Sequence, residues 1–153
     1  MKKFIYNMRN LLEVKLKLEE QAKIAYGNAR LKLTQEEEKL EALEKNKASY
    51  EDHMRSLRMQ RLDIRKIKHC EEAIEIIKVS IKQQIITVKN AAQRLEVARI
   101  RLNDAITERK IQEKLRENAL KEYMVELEAE EQKEIDERNS FKFSVPVGSE
   151  GEM

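Results

Sequence analysis

The sequence predicts an all-α protein, a long antiparallel two-helix coiled-coil hairpin with a disordered C-terminal tail. Three observations carry this prediction. No glycine or proline occurs between Gly27 and Pro146, so nothing in that stretch interrupts a helix. Charged residues make up 39% of the chain and aromatic residues 5%, which leaves too little bulky apolar material for a multilayer core. Apolar residues recur at spacings of three and four, which places one apolar stripe along each helix.

The first helix is predicted over about residues 4–60. Its apolar residues fit a heptad seam at Phe4, Met8, Leu11, Leu18, Ala22, Ala25, Ala29, Leu33, Leu40, Leu43, Tyr50, Met54 and Leu57. Two successive spacings of four, from Ala25 to Leu33, predict a stutter that locally unwinds a left-handed supercoil. Gly27 and the alanines beside it predict a thin, soft segment over residues 22–29, because glycine has a lower helix propensity than alanine.

The turn carries no glycine or proline, so its position is inferred from charge. Between His53 and Cys70 the seam weakens, and Asp63 is the only acid in that stretch. Aspartate is a favoured helix N-cap, so Asp63 is expected to start the second helix. The turn is predicted at about residues 61–66. Six cations surround it and form the basic tip: Arg55, Arg58, Arg61, Arg65, Lys66 and Lys68.

The second helix is predicted over about residues 67–138. Its apolar stripe includes Ile74, Ile77, Ile81, Ile85, Val88, Ala92, Leu95, Leu102 and Ile106. The predicted turn places Leu43 level with Ile85, Tyr50 level with Ile77, and Phe4 near Tyr123. Charged residues occupy several seam positions and weaken the seam: Lys15, Glu36, Lys47, Arg99 and Arg109.

The open end of the hairpin is acidic, since residues 126–137 contain seven acids and one lysine. The hairpin domain is predicted to span residues 1–138, and residues 139–153 form a flexible tail. The basic tip produces a local positive field although the net charge is only +2. An acidic protein or anionic lipid headgroups would suit that field. The alternative is that both charged segments are simply solvated.

No catalytic, cofactor or metal site is predicted. His53 and His69 do not follow a glutamate by three residues, as di-iron helical bundles require. His69 and Cys70 are adjacent and therefore diverge on a helix. The single cysteine suits a reducing cytosol, and no apolar run approaches the roughly 20 residues that span a bilayer. A non-enzymatic cytoplasmic protein is expected, and the intermixed charges argue against nucleic acid as its partner.

The two ends of the chain resemble the FliJ family of flagellar export proteins. The opening match comprises Phe4, Tyr6, Arg9, Leu11, Leu12 and Lys15, followed by Glu19, Glu20 and Ala22. The closing match comprises Glu108, Arg109, Lys110, residues 113–117, Tyr123 and residues 131–137. Each motif alone is ordinary helical sequence. Their order, spacing and total length together make the resemblance, which covers about residues 4–143.

The resemblance implies an antiparallel coiled coil similar to the central stalk of rotary ATPases. Family members sit in the pore of the hexameric flagellar export ATPase, contact the cytoplasmic domain of the export gate protein FlhA, and escort export chaperones. It further implies a protein that is monomeric when free, cytoplasmic, and at most peripherally bound to the cytoplasmic face of the membrane. The implied gate-contact residues are Lys39, Leu43, Asn46 and Tyr50 on the first helix and Ala73, Ile77, Ser80 and Gln84 on the second.

Three other interpretations stay open at the sequence level. The stalk of a virulence type III secretion system would share the fold and mechanism but not the role in motility. A generic structural coiled coil would dimerise through one continuous helix. Nucleic-acid binding through the basic tip ranks last, because that segment lacks interleaved aromatic residues.

Overall fold

The chain folds into two long helices, which confirms the predicted all-α helical hairpin. The structure, a computed structural model, describes residues 4, 5 and 8–144. Helix α1 spans Arg9–Met59 and helix α2 spans Ile64–Ser144, with 51 and 81 residues respectively. The described residues divide into two units. One unit comprises residues 17–106, and the other comprises the residues up to Leu16 and those from Thr107 onward.

In the unit of residues 17–106, the side of α1 turned toward α2 follows an alternation of three and four residues. Its buried and half-buried members include Glu19, Ala22, Tyr26, Ala29, Leu33, Glu36, Leu40, Leu43, Lys47, Tyr50, Met54 and Leu57. Such an unbroken heptad pattern keeps one face of a helix on its partner. The predicted stutter is therefore wrong: Ala25 is exposed, and Tyr26 lies in the seam instead. A tyrosine ring buries more apolar area than an alanine methyl group.

The seam of α2 has the same period in this unit. Its buried and half-buried members include Ile67, Cys70, Ile74, Ile77, Ile81, Gln84, Val88, Ala91, Leu95, Ala98 and Leu102. Some residues that were predicted in the seam are exposed, namely Leu18 on α1 and Ile85, Ala92 and Arg99 on α2. A helix presents one heptad phase to its partner, and polar residues in that phase are buried with it. Gln84 and Ala91 thus take the places predicted for Ile85 and Ala92.

Gly27 lies on the exposed face of α1 in ordinary helical conformation. It has no positive φ, and a Cβ built there meets no atom within 4 Å. We therefore expect Gly27→Ala to raise the free energy of unfolding by about 0.5–1 kcal/mol, because alanine loses less backbone entropy in a helix. Urea denaturation followed by circular dichroism measures this change. A loss of stability would mean that the backbone at this position is not a regular helix.

The turn and one polar contact show the register across the hairpin. Gln84 Nε2 donates hydrogen bonds to the backbone oxygen of Glu36 at 2.9 Å and to its Oε2 at 2.6 Å. Residues equally distant from the turn between Met59 and Ile64 lie level, which places Leu43 opposite the stretch around Ile81 and Tyr50 opposite the stretch around Ile74. The predicted pairings of Leu43 with Ile85 and of Tyr50 with Ile77 are therefore wrong. A turn predicted about two residues too late shifts each opposing partner by about four residues.

The turn occupies residues 60–63, slightly earlier than the predicted 61–66. The prediction that Asp63 caps the second helix is confirmed. Its Oδ1 accepts hydrogen bonds from the backbone N–H groups of Arg65 at 3.2 Å and Lys66 at 3.4 Å. Its carbonyl oxygen accepts the first helical bond, from Ile67 N–H at 3.1 Å. Because the N-cap residue directly precedes the first helical residue, α2 begins at Ile64 rather than near residue 67.

The cap predicts a measurable loss of stability. We expect Asp63→Ala to lower the free energy of unfolding by about 1 kcal/mol, because the first N–H groups of α2 lose their acceptor. Asp63→Asn is the matched control, since its side-chain oxygen can still accept these bonds. Equal stability of the two variants in urea denaturation would contradict the capping role.

In the other unit, the start of α1 packs on α2 beyond Thr107. Leu12 is buried, whereas the predicted seam residues Met8 and Leu11 are 49% and 39% exposed. The Phe4 and Tyr123 rings lie 5.4 Å apart at an angle of 52°, which confirms that these residues are neighbours. Phe4 precedes the helix, which begins at Arg9 rather than near residue 4.

Helix α2 continues past the predicted end at residue 138 as far as Ser144, the last residue that the structure describes. Residues 128–142 are all exposed. Residues 145–153, the remainder of the predicted flexible tail, lie outside the described residues, as does Tyr6 of the opening motif. Neither of the two described helices has a stretch apolar and long enough to cross a membrane.

Candidate docking surfaces

The predicted gate-contact residues all lie in the unit of residues 17–106, but most of them are engaged in the seam. Ile77 is 7% exposed, and Leu43 and Tyr50 are half-buried. Ala73, Ser80 and Gln84 are also half-buried. Lys39 and Asn46 on α1 are exposed. These last two are the members of the set that are most open to a partner.

The turn keeps the two halves of this gate-contact set beside each other. Asn46 and Ile77 are equally distant from the turn between Met59 and Ile64, so they lie level across the hairpin. A partner that contacts one half is therefore close to the other half as well.

Glu36 is a buried carboxylate in the same region, with 3% of its surface exposed. Lys32 Nζ lies 2.8 Å from its Oε1 and Lys39 Nζ lies 3.3 Å from the same atom. The hydrogen bond from Lys32, followed by that from Gln84, lowers the pKa of Glu36 to about 2. Charged partners hold this carboxylate ionised, which is what allows it to be buried in a seam.

The lowered pKa predicts a loss of stability in acid. Because the folded state holds the proton of Glu36 less tightly than the unfolded state does, this carboxylate stabilises the fold fully above a pH of about 4.5. That contribution is lost as the pH falls from about 4.5 towards 2. We expect the wild-type urea midpoint to fall more steeply over this range than that of Glu36→Gln. Parallel pH profiles of the two proteins would contradict the pKa shift.

The basic tip is exposed at all six of its cations. Arg55 pairs with Asp52 at 3.6 Å, and Arg58 pairs with Glu71 at 4.0 Å. The other four cations form no ion pair within the part of the chain that the structure describes: Arg61, Arg65, Lys66 and Lys68. Unpaired cations at one turn concentrate positive potential there.

Three large apolar side chains that were not predicted as functional residues project from the same turn. Met59 is 91% exposed, Leu62 is 71% exposed and Ile64 is 76% exposed. Their sequence signal is position: each is apolar, lies next to the turn, and falls outside the heptad seam. We call Met59, Leu62 and Ile64 the apolar triad.

A groove of about 940 Å³ lies between the helices where alanines replace bulky seam residues. Leu18, Ala22 and Ala25 line it from α1. Arg94 and Arg101 line it from α2, and its lining contains no acidic residue. This groove coincides with the segment of residues 22–29 that the sequence predicts to be thin.

Potential metal ligands are scattered. No group of three or more histidine, cysteine, aspartate or glutamate side chains converges among the described residues. His53 and His69 are exposed, and Cys70 is a free thiol that is buried in the seam with 3% exposure. The two histidines therefore lie on the helix surface, and the cysteine packs between the helices.

Known proteins resemble the chain in fold and in sequence pattern. The structure of CT670 from Chlamydia trachomatis, described as a YscO homolog, matches with a TM-score of 0.66 at 22% sequence identity. The match covers 94% of this chain and 97% of that one, and it shows a shared fold. No curated protein matches the chain. The family model described as flagellar FliJ protein matches residues 4–147, which is nearly the whole chain and includes both motif segments. The chain therefore belongs to the FliJ family of flagellar proteins.

Proposed function

We propose that the protein is a non-enzymatic, stalk-like component of the bacterial flagellar type III export apparatus. The observation that carries this proposal is the family match over residues 4–147, combined with the two-helix hairpin. Family membership supports the general role, a component of the type III export apparatus. Its specific role is to promote assembly of the export ATPase hexamer, to couple it to the export gate protein FlhA, and to escort export chaperones in flagellum assembly.

The ATPase-contacting part is the open end, at about residues 4–30 and 105–138. Two helices cannot present the same surface to each subunit of a sixfold ring, so the subunits are contacted unequally. A ligand shifts an equilibrium only by its differential affinity for the states, so unequal contacts can bias ring closure or order the ATP sites. Exposed charges at this end can contact the ring, among them Arg9 and Glu13, which pair with each other at 3.4 Å.

The gate-contacting part lies near the turn. Lys39 and Asn46 are its exposed members, while Leu43 and Tyr50 provide half-buried apolar surface beside them. In the cell, the protein is cytoplasmic, lies peripherally at the cytoplasmic face of the membrane, and is monomeric when free. Each of its helices finds its partner within the same chain, which supports the monomer over a dimer formed through one continuous helix.

The coupling role is tested with the cognate export ATPase. We expect added protein to stimulate ATP hydrolysis and to increase the hexamer fraction in size-exclusion chromatography with light scattering. The same instrument measures the free protein, for which a monomer is expected. No change in hydrolysis or in assembly would overturn the coupling role.

The gate contact is tested by pull-down with the cytoplasmic domain of FlhA. Asn46→Arg is expected to weaken capture, because a long cation replaces a small exposed amide in the contact. Glu44→Arg is the matched control, since residue 44 is exposed two positions away and faces another direction on α1. Equal capture of the two variants would remove Asn46 from the contact.

A second candidate function is the equivalent stalk of a virulence type III secretion system. This candidate is supported by the similarity in fold to CT670, which is described as a YscO homolog. The two candidates share mechanism and differ in partners. Pull-downs against the flagellar and the virulence ATPases of the same cell separate them, and capture of the virulence ATPase alone would reject the flagellar assignment.

A further inference from the structure

The apolar triad is unusual for a soluble surface. Met59, Leu62 and Ile64 are among the most exposed large apolar side chains in the described part of the chain, and all lie within six residues of one another. Exposed apolar residues scattered singly are ordinary, whereas a cluster rimmed by polar groups marks an interaction site. The seam offers no place for this cluster, because it lies at the reversal of the chain.

The cations around the triad are complementary in charge to an anionic partner. Arg61 and Arg65 flank Leu62 and Ile64 directly in sequence, and neither forms an ion pair among the described residues. Asp63 is the only acid between Met59 and Cys70, and its Oδ1 is turned to the first N–H groups of α2. The turn therefore combines exposed apolar groups with unpaired positive charge.

We propose that the basic tip docks on an anionic lipid surface, with the apolar triad inserted between the headgroups. This inference rests on the proposed function, and it deepens the peripheral membrane location by naming the residues responsible. Aliphatic side chains surrounded by lysine and arginine are the combination that binds the interface of a bilayer with anionic lipids. Both helices contribute cations around a projecting turn, and a flat lipid surface can meet them all at once.

The test is co-sedimentation of the full-length protein with vesicles. We expect binding to vesicles of phosphatidylcholine with phosphatidylserine, weaker binding at raised salt, and little binding to phosphatidylcholine alone. Replacing both Arg61 and Arg65 by glutamine should weaken binding roughly thirtyfold, since each cation near the surface is worth about fivefold. Replacing Met59 and Leu62 by serine should weaken it by at least about tenfold.

The matched control is Ile76→Ser, which removes an apolar side chain that is 68% exposed on α2 but outside the tip. It should bind the anionic vesicles as the wild type does, and circular dichroism should show the same helicity for all variants. Absence of wild-type binding to anionic vesicles, or equal weakening by Ile76→Ser, would overturn the proposal.

Two further outcomes separate the alternatives. Loss of FlhA capture in the Arg61 and Arg65 variant, without any vesicle binding by the wild type, would assign the tip to an acidic protein surface and overturn the lipid proposal. Stimulation of the export ATPase is measured on the same samples. If it persists while vesicle binding is absent, the lipid proposal fails and the proposed function stands.

Discussion

Ile77→Ala is expected to lower the free energy of unfolding by about 2–3 kcal/mol. Ile77 is 7% exposed and lies in the seam, so its truncation removes buried apolar surface and leaves a cavity between the helices. The lower part of the usual range applies because a two-helix seam has no fully buried side chain in the described residues. Urea denaturation followed by circular dichroism at 222 nm measures the effect.

The neighbouring residue supplies the control. Ile76→Ala makes the same chemical change at a position that is 68% exposed, and the gain in helix propensity is the same at both sites. We expect a change within about 0.5 kcal/mol there. The difference in unfolding free energy between the two variants therefore measures the effect of burying Ile77 in the seam. If Ile76→Ala cost as much as Ile77→Ala, α2 would be packed in a different heptad phase from the one observed.

Gln84→Leu is expected to destabilise the hairpin by about 1–3 kcal/mol although leucine is the more apolar residue. Gln84 is the donor that reaches across the seam to the backbone and side-chain oxygens of Glu36. Its loss leaves a buried acceptor without its cross-helix partner, and an unsatisfied buried group costs more than a hydrogen bond contributes. Urea midpoints of the single variant and the wild type give the difference.

The double variant Glu36→Leu with Gln84→Leu is the decisive comparison. It replaces both polar partners with apolar ones and is expected to be more stable than Gln84→Leu alone, because no buried polar group is left unpaired. A polar pair in a seam can specify register, so the double variant is also the one in which alternative registers are expected. Additive effects of the two substitutions would show that Glu36 and Gln84 are not coupled.

One candidate site was predicted from the sequence, and another was found only in the structure. The gate-contact residues are predicted through a family resemblance, and the family match confirms that resemblance. The apolar triad is recognised only in the three-dimensional structure, since Leu57 and Met59 are both apolar residues near the turn and only Leu57 is buried. Apolar residues occur in more than one heptad phase around this turn. Their exposure is decided by which phase the partner helix covers.

Local chemistry in the sequence determined that this chain forms two long helices. The stretch without glycine or proline and the cap at Asp63 are both read from neighbouring residues, because helix propensity and capping act over a few positions. Only the tertiary structure decided the phase and register of the seam. Gln84 lies in the seam and Ile85 does not, because the phase is chosen by the sum of contacts along both helices and by the closure of a four-residue turn.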